Sequence, residues 1–199
     1  LFNFFLKRFK INDYSKKLKK NSILIFDYFT YFEKQNALKG KFVSSYWDKF
    51  LHLAKKNKIN LNFLHITLDE KNFFLNKKID IIRSLNSSNN ISHNILDAYI
   101  DFNILMNVFF IFLKNYLKYI LFRIMYKKNI IFKNDILHKM FVDSFVGVWS
   151  IKNLFFFFLF KKFIKNYCKE NKVTVYLNEF QGWEKSMIFS SRKFSKSLI

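Results

Sequence analysis

The chain of 199 residues has no proline, three glycines and one cysteine, and each scarcity excludes a class of structure or site. With Cys168 as its single cysteine, the chain cannot form an internal disulfide or a metal site built from several thiolates. Three glycines also argue against a phosphate-binding loop, because the P-loop and the G-x-G-x-x-G turn need several glycines at fixed spacing. A reduced, cytoplasmic setting fits this cysteine usage.

Acidic residues are also scarce: 14 Asp and Glu stand against 35 Lys and Arg, which gives a formal net charge of +21. Such a balance favours anionic partners, such as nucleic acid, a membrane surface or a sugar nucleotide. An AT-rich genome offers a second explanation, because its codons favour Lys, Asn, Ile and Phe and disfavour Pro, Gly and Ala. The aromatic residues follow apolar helical faces, so nucleic acid is the weaker interpretation.

Two segments are apolar enough to suggest a membrane span. The first, residues 104–125, is interrupted by three basic residues, and the second, residues 154–160, is short and runs into a Lys-Lys pair. Neither reaches the ~20 uninterrupted apolar residues that a span needs. We therefore expect buried amphipathic helices, with peripheral membrane contact as the alternative.

The pattern of apolar residues predicts an α/β chain. Strands are predicted over Ser22–Tyr28, Leu61–Thr67 and Val173–Leu177. Helices are predicted over Ser44–Lys55, 95–126, 134–148, Ile151–Lys169 (capped by Ser150) and Gln181–Arg192. The polar residues 76–94 are interpreted as a loop or a helix break, and residues 1–21 as a basic lead-in. This order predicts a parallel sheet with a helical insertion between the second and third strands.

The segment Tyr176-Leu-Asn-Glu-Phe-Gln-Gly-Trp-Glu-Lys-Ser-Met187 crowds polar groups at the end of the third predicted strand, where open α/β sheets bind ligands. Glu179 could act as a general base towards a sugar hydroxyl, and Trp183 could stack on a sugar ring. The alternative is structural. Glu179 or Gln181 then caps the next helix, Glu184 complements the helix dipole and Trp183 belongs to the core.

Two other features could contribute to a site. Ser44-Ser-Tyr-Trp-Asp48 begins a helix after the first predicted strand, which suits an anion or hydroxyl, although an ordinary capped helix has the same pattern. Of four scattered histidines, only His65, near the end of the second predicted strand, lies where chemistry could use it. A buried histidine with satisfied hydrogen bonds is the alternative, and no metal site is predicted.

Three segments occur in an order that resembles one bacterial family: Phe42-Val-Ser-Ser-Tyr-Trp-Asp48, Asn62-Phe-Leu-His-Ile66 and Tyr176-Leu-Asn-Glu-Phe-Gln-Gly-Trp-Glu184. The family comprises surface-carbohydrate biosynthesis proteins, glycosyltransferases of the two-lobed GT-B type that serve capsule or lipopolysaccharide synthesis. A more distant likeness is to the Kdo transferases. The chain departs from the family pattern at Phe63, where a tryptophan is expected.

The resemblance implies that residues 22–199 form a Rossmann-like parallel-sheet lobe of a GT-B-type fold, with a helical insertion at about 95–148. It implies sugar transfer from a nucleotide donor to a glycan or lipid-linked acceptor, in the cytoplasm or at the inner face of the membrane. Glu179 is then the catalytic candidate, and the acceptor-binding candidates are Tyr46, Trp47, His65, Gln181, Trp183 and Glu184. No cofactor or metal is expected here. The chain is expected to be a fragment that is inactive alone, with the nucleotide sugar bound by a second lobe beyond it.

Overall fold

A computed structural model describes residues 18–66, 75–88, 91–125, 135–168, 171–179 and 181–195. The strands are β1 (Ile23–Tyr28), β2 (Leu61–Ile66), β3 (Ser92–Ile95) and β4 (Val173–Tyr176). The helices are α1 (Lys34–Leu38), α2 (Asp48–Lys56), α3 (Leu75–Ser88), α4 (Phe102–Met125), α5 (Asp135–Phe145), α6 (Val148–Tyr167) and α7 (Gly182–Phe194), and a 3₁₀ turn covers Leu96–Tyr99.

The four strands form one parallel sheet in the order β3-β2-β1-β4. In register, Ile23 of β1 pairs with Leu61 of β2 on one side and with Val173 of β4 on the other. This arrangement confirms the predicted α/β class and parallel sheet, and it is consistent with a Rossmann-like lobe. Strand β1 is therefore an interior strand, with β2 on one side and β4 on the other.

Apolar residues cover both faces of the sheet, as expected of parallel strands. One face carries Leu24 and Phe26 and packs against α6 and α7 through Phe160, Phe163 and Met187. The other face carries Ile25 and Phe63, which pack against Trp47 and Ala54 of the α2 region. A second cluster nearby joins Phe29 to α3 residues such as Ile81 and Leu85. The sheet is therefore the middle layer of the fold.

The interpretation of residues 76–94 as a loop or a helix break is wrong. Helix α3 ends at Ser88, and β3 follows as the edge strand of the sheet. The side chain of Asn86 holds this strand: its Nδ2 donates to the carbonyl of His93 and its Oδ1 accepts the N–H of His93, both at 2.8 Å. The amide thus pairs with both backbone groups of His93, as a neighbouring strand does.

The prediction that Ser150 caps a helix is also wrong. Helix α6 begins at Val148, after Gly147, and Ser150 lies in its first turn. The Ser150 hydroxyl donates a hydrogen bond to the carbonyl of Phe145, the last residue of α5. It therefore connects two successive helices. The predicted strand end at Thr67 and most of the predicted lead-in, residues 1–17, lie outside the described residues, and the domain boundaries stay predictions.

Helices α4 and α5 form the section between β3 and α6, and α4 is not the buried helix that was predicted. Only Ile104, Val108 and Tyr119 of its 24 residues are buried. The shorter apolar run, residues 154–160, does lie in the core, with Phe156, Leu159 and Phe160 buried. Within the described residues, Phe102–Met125 and Asp135–Tyr167 are long and apolar enough to cross a membrane, by length and composition only.

Candidate functional site at the carboxyl edge of the sheet

The candidate site lies where β1 and β4 end side by side. The chain leaves β1 towards β2 on one side of the sheet, whereas β4 lies on the other side, so the crevice between β1 and β4 is a topological switch point. Ligands of open α/β sheets bind outside the carboxyl ends of the strands at such points. Asp27 and Tyr28 end β1 here, and the chain from Tyr176 to Glu179 leaves β4 here.

Asp27 is a buried carboxylate with an incomplete set of partners. Its exposed fraction is 2%, and the indole of Trp47 and the backbone of Tyr28 lie beside its carboxylate without reaching the geometry of ordinary hydrogen bonds. Burial raises its pKa from 3.8 to about 7, although the nearby indole of Trp47 and backbone of Tyr28 lower it. The charge of Glu179 acts in the same direction as burial. Two carboxylates therefore lie close enough at this edge to affect each other.

The indole nitrogen of Trp47 is buried beside Asp27, and neither group makes a hydrogen bond of ordinary geometry with a described residue. Its ring is 5% exposed and packs edge-on against Phe50 and Phe63. At the opposite end of the sheet, Ser22 and Asn62 are bonded to each other at 2.6 Å, and Nδ2 of the neighbouring Asn171 is also without a partner in the described part of the chain. Buried polar groups without partners are unusual, and those at the carboxyl edge coincide with the switch point where ligands of open α/β sheets bind.

Glu179 lies in front of Asp27 and is exposed. The hydroxyl of Tyr31 donates a hydrogen bond to Oε1 of Glu179, and the ring of Tyr31 lies against Tyr46, with centroids 4.7 Å apart. Burial, followed by the bond to Glu179, raises the pKa of the Tyr31 hydroxyl. Tyr31 therefore remains a proton donor to the carboxylate at physiological pH.

Hydrogen bonds of Ser44 hold the loop that carries Tyr31 and Tyr46. The hydroxyl of Ser44 donates to the carbonyl of Tyr31 at 2.7 Å, and the N–H of Ser44 donates to Asp48 at 3.2 Å. Asp48 begins α2. The prediction that this helix begins at Ser44 is wrong, because its N-cap is Trp47, which makes no side-chain capping bond. The Ser-Ser-Tyr-Trp-Asp segment instead supports one wall of the site.

A second wall is aromatic. Trp183 donates from Nε1 to the hydroxyl of Tyr28 at 2.6 Å and stacks on Phe160, with centroids 5.9 Å apart. Beside it is a cavity of about 260 Å³ that is lined by Tyr28, Ile66, Trp149, Lys152, Asn153, Phe156, Gln181, Gly182 and Trp183. Because a Cβ on Gly182 would lie 2.7 Å from Asn153 Oδ1, this glycine allows the turn to approach α6. Aromatic rings, amides and an amine suit a hydroxylated ligand.

The carboxylate of Glu184 makes structural hydrogen bonds within the turn. One of its carboxylate oxygens accepts the N–H groups of Glu179 and Gln181, at 2.8 and 3.0 Å. Gln181 is the N-cap of α7, and Glu184 reaches back to it from the third helical position, as in a capping box. Glu184 therefore shapes the turn that presents Glu179 and is itself buried.

His65 lies in the interior behind this edge. It is fully buried, its Nε2 lies 3.1 Å from Nδ1 of His93, and the two rings are stacked. Burial lowers the pKa of His65 from 6.5 to about 3, so the ring is neutral. It pairs in register with Asp27, which places both side chains on the same face of the sheet. In this conformation, His65 does not reach the solvent side of the crevice.

The structure therefore brings most of the predicted site residues to one edge. Glu179 and Tyr46 are exposed there, Trp47 lies beneath, and Gln181 and Trp183 line the cavity, whereas Glu184 and His65 are enclosed. Sequence reasoning did not assign roles to Asp27 and Tyr31. The position of Asp27 at the end of an apolar strand was a usable signal, but nothing in the sequence connects Tyr31 with Glu179.

Among the described residues, no group of three His, Cys, Asp or Glu side chains could hold a metal ion. No known protein family, curated protein or solved structure matches this chain. Its class is therefore defined by its own fold and site. The protein is an α/β protein with a four-stranded parallel sheet and a carboxylate pair at the switch point.

Proposed function

We propose that this chain is the acceptor-binding, N-terminal lobe of a GT-B-type glycosyltransferase that acts in bacterial surface polysaccharide synthesis. The observation that carries the proposal is the position of Glu179, an exposed carboxylate held by Tyr31 at the switch point of a parallel sheet. The neighbouring cavity, with its aromatic and amide lining, supports a sugar as the ligand.

In the proposed reaction, the ionised carboxylate of Glu179 accepts the proton of an acceptor hydroxyl. The acceptor oxygen forms a bond to the anomeric carbon of the donor sugar while the bond from that carbon to the phosphate breaks, and a nucleoside phosphate leaves with its electron pair. Asp27 is shielded from solvent, so it does not act as the base. The donor nucleotide is expected to bind to a second lobe.

The test is to replace Glu179 in the full protein in its own bacterium. Glu179→Gln keeps the size of the side chain and an acceptor for Tyr31 but removes the base. We expect a loss of surface polysaccharide of about 100-fold at an unchanged protein level. Asp80→Asn, which removes an exposed carboxylate of α3, is the matched control and should leave the polysaccharide unchanged. Wild-type polysaccharide in the Glu179→Gln strain would contradict the proposal.

A second candidate function is a non-catalytic module that binds a polyanion. The net charge of +21 is the observation in its favour. Under this alternative, Glu179→Gln leaves the phenotype unchanged, and binding to a polyanion such as heparin weakens steeply as salt is raised. Under the glycosyltransferase proposal, purified surface polysaccharide of the same strain should bind in a manner that depends on Tyr46 and Trp149 and changes little with salt.

A further inference from the structure

Helix α4 presents a long apolar face to solvent. The side chains that define this α4 apolar face are all more than 40% exposed: Phe102, Phe109, Leu113, Tyr116, Leu117 and Ile124. Their spacing, mostly of three, four and seven residues, puts them on one side of a helix, over a length of about 33 Å. Helix α5 also exposes apolar side chains, among them Ile136, Met140 and Phe145. Soluble monomers rarely expose so much contiguous apolar surface.

The other sides of α4 show that its position in the fold is fixed. Ile104 and Val108 belong to the same core cluster as Leu24 of β1, and Tyr119 lies 3.4 Å from His138 of α5. Between the buried side and the apolar face, one flank carries the exposed polar residues Asn103, Asn107, Lys114 and Lys118, together with the exposed apolar residues Leu121 and Met125. The helix therefore has a buried face, a mixed flank that holds both lysines, and an apolar face that nothing described covers.

The positive charge of the chain indicates what covers the α4 apolar face. Helix α4 contains no acidic residue, and the chain carries a net charge of +21. Two copies of so basic a chain repel each other, whereas a bilayer with anionic lipids attracts it. We propose that α4 lies in the interface of an anionic membrane, with its apolar face at the boundary between headgroups and acyl chains. This inference does not rest on glycosyl transfer.

The helix lies along the membrane and does not cross it. Lys114 and Lys118 are near the middle of α4, so a crossing helix would carry both charges to the centre of the bilayer, where charges are costly. In the interfacial orientation, the same lysines reach the phosphate groups at the headgroup level. Crossing would also remove Ile104 and Val108 from the core cluster.

Vesicle flotation tests the proposal with the whole chain. Wild-type protein should float with vesicles that contain phosphatidylglycerol, bind those of phosphatidylcholine alone much more weakly, and bind less in high salt. The combined variant Phe109→Ser, Leu113→Ser and Leu117→Ser should lose binding by about tenfold or more. The matched control, Leu38→Ser, Leu53→Ser and Ile59→Ser, removes equally exposed apolar residues elsewhere and should bind like the wild type.

Three results would overturn the proposal. They are the absence of wild-type binding to phosphatidylglycerol vesicles, equal binding by the α4 variant, and a wild-type dimer in solution that the α4 variant alone dissociates. Circular dichroism of both variants should match the wild type, since the replaced side chains are exposed. A folded α4 variant that no longer binds separates membrane docking from loss of structure.

Depth measurements separate the two orientations. In the Leu117→Trp variant, lipids brominated near the headgroup should quench the tryptophan fluorescence more strongly than they do in the wild type. Strong quenching by lipids brominated only near the end of the acyl chain would show a crossing helix and would contradict the interfacial orientation. If Glu179→Gln is without effect while flotation behaves as expected, the glycosyltransferase proposal fails and the membrane proposal stands.

Discussion

Tyr31 and Glu179 are 148 positions apart in the chain, yet the hydroxyl of Tyr31 donates a hydrogen bond to the carboxylate of Glu179. The bond joins the loop after β1 to the turn after β4, on both sides of the switch point. It is the contact that orients the exposed carboxylate of the candidate site.

Tyr31→Phe should weaken function more than stability. The variant keeps the ring that packs on Tyr46 and removes only the donor, so Glu179 loses its fixed orientation. We expect about a tenfold loss of surface polysaccharide. The free energy of unfolding should change by less than about 1 kcal/mol, because the bond is exposed to solvent. Urea unfolding of the wild type and the variant, measured together with the amount of surface polysaccharide, tests whether function falls more than stability. A large loss of stability in the variant would contradict this prediction.

Asp27→Asn should stabilise the protein increasingly as pH rises. The pKa of Asp27 is about 7 in the folded chain and near 3.8 in the unfolded chain. The folded state therefore holds the extra proton between these values, and the contribution of Asp27 to wild-type stability falls with rising pH by about 1.4 kcal/mol per pH unit. The destabilisation of the folded wild type by the buried, ionised Asp27 reaches at most roughly 4 kcal/mol above pH 7. Urea unfolding between pH 4 and 8 measures the difference between variant and wild type, which should grow up to pH 7 and then level off. A difference that is independent of pH would show that Asp27 is ionised throughout.

His65→Gln should change the pH dependence in the opposite direction. Burial lowers the pKa of His65 to about 3, so the unfolded chain binds the extra proton between about pH 3 and 6.5. This residue makes wild-type stability rise with pH in that window, at up to about 1.4 kcal/mol per unit. Removing it should leave the falling contribution of Asp27 visible between pH 4 and 6.5. The same unfolding series tests this, with His52→Gln, an exposed histidine of α2, as the control.

Glu184→Ala should destabilise the protein by about 1–2 kcal/mol, because the N–H groups of Glu179 and Gln181 lose their acceptor. Glu184→Gln keeps an acceptor oxygen and should cost less than about 1 kcal/mol. Thermal unfolding of both variants separates them. Equal stability of the two variants would mean that the capping bonds contribute little.

The sequence predicted the parts of this fold whose apolar pattern is strong. The strand near Ile23 and the helix near Phe160 were found because each contains an unbroken apolar run whose length and flanking residues indicate its type. Strand β3 was missed because Ser92, His93 and Asn94 have low strand propensity and are held by neighbours in the fold. Helix α3 was missed for a related reason, since its serines and asparagines are poor helix formers but Ile81 and Leu85 are anchored in the core.

The site was predicted in outline for the same physical reasons. The crowded turn at Glu179 follows directly from the residues that end β4. The separate roles of the residues in this site could not be predicted, because capping by Glu184 and burial of His65 depend on contacts across the fold. The exposure of α4 was also hidden, because a single chain shows that a helix is apolar but not which neighbours cover it.

The pairing of Asn86 with His93 has a consequence for how this sheet can be extended. One border of the sheet is closed by a side-chain amide that occupies both backbone groups of its edge strand at that residue. At the other border, β4 pairs with β1 alone among the described strands. A strand that extended the sheet beyond β3 would therefore first have to displace this amide from His93, so Asn86 protects that edge from strand addition.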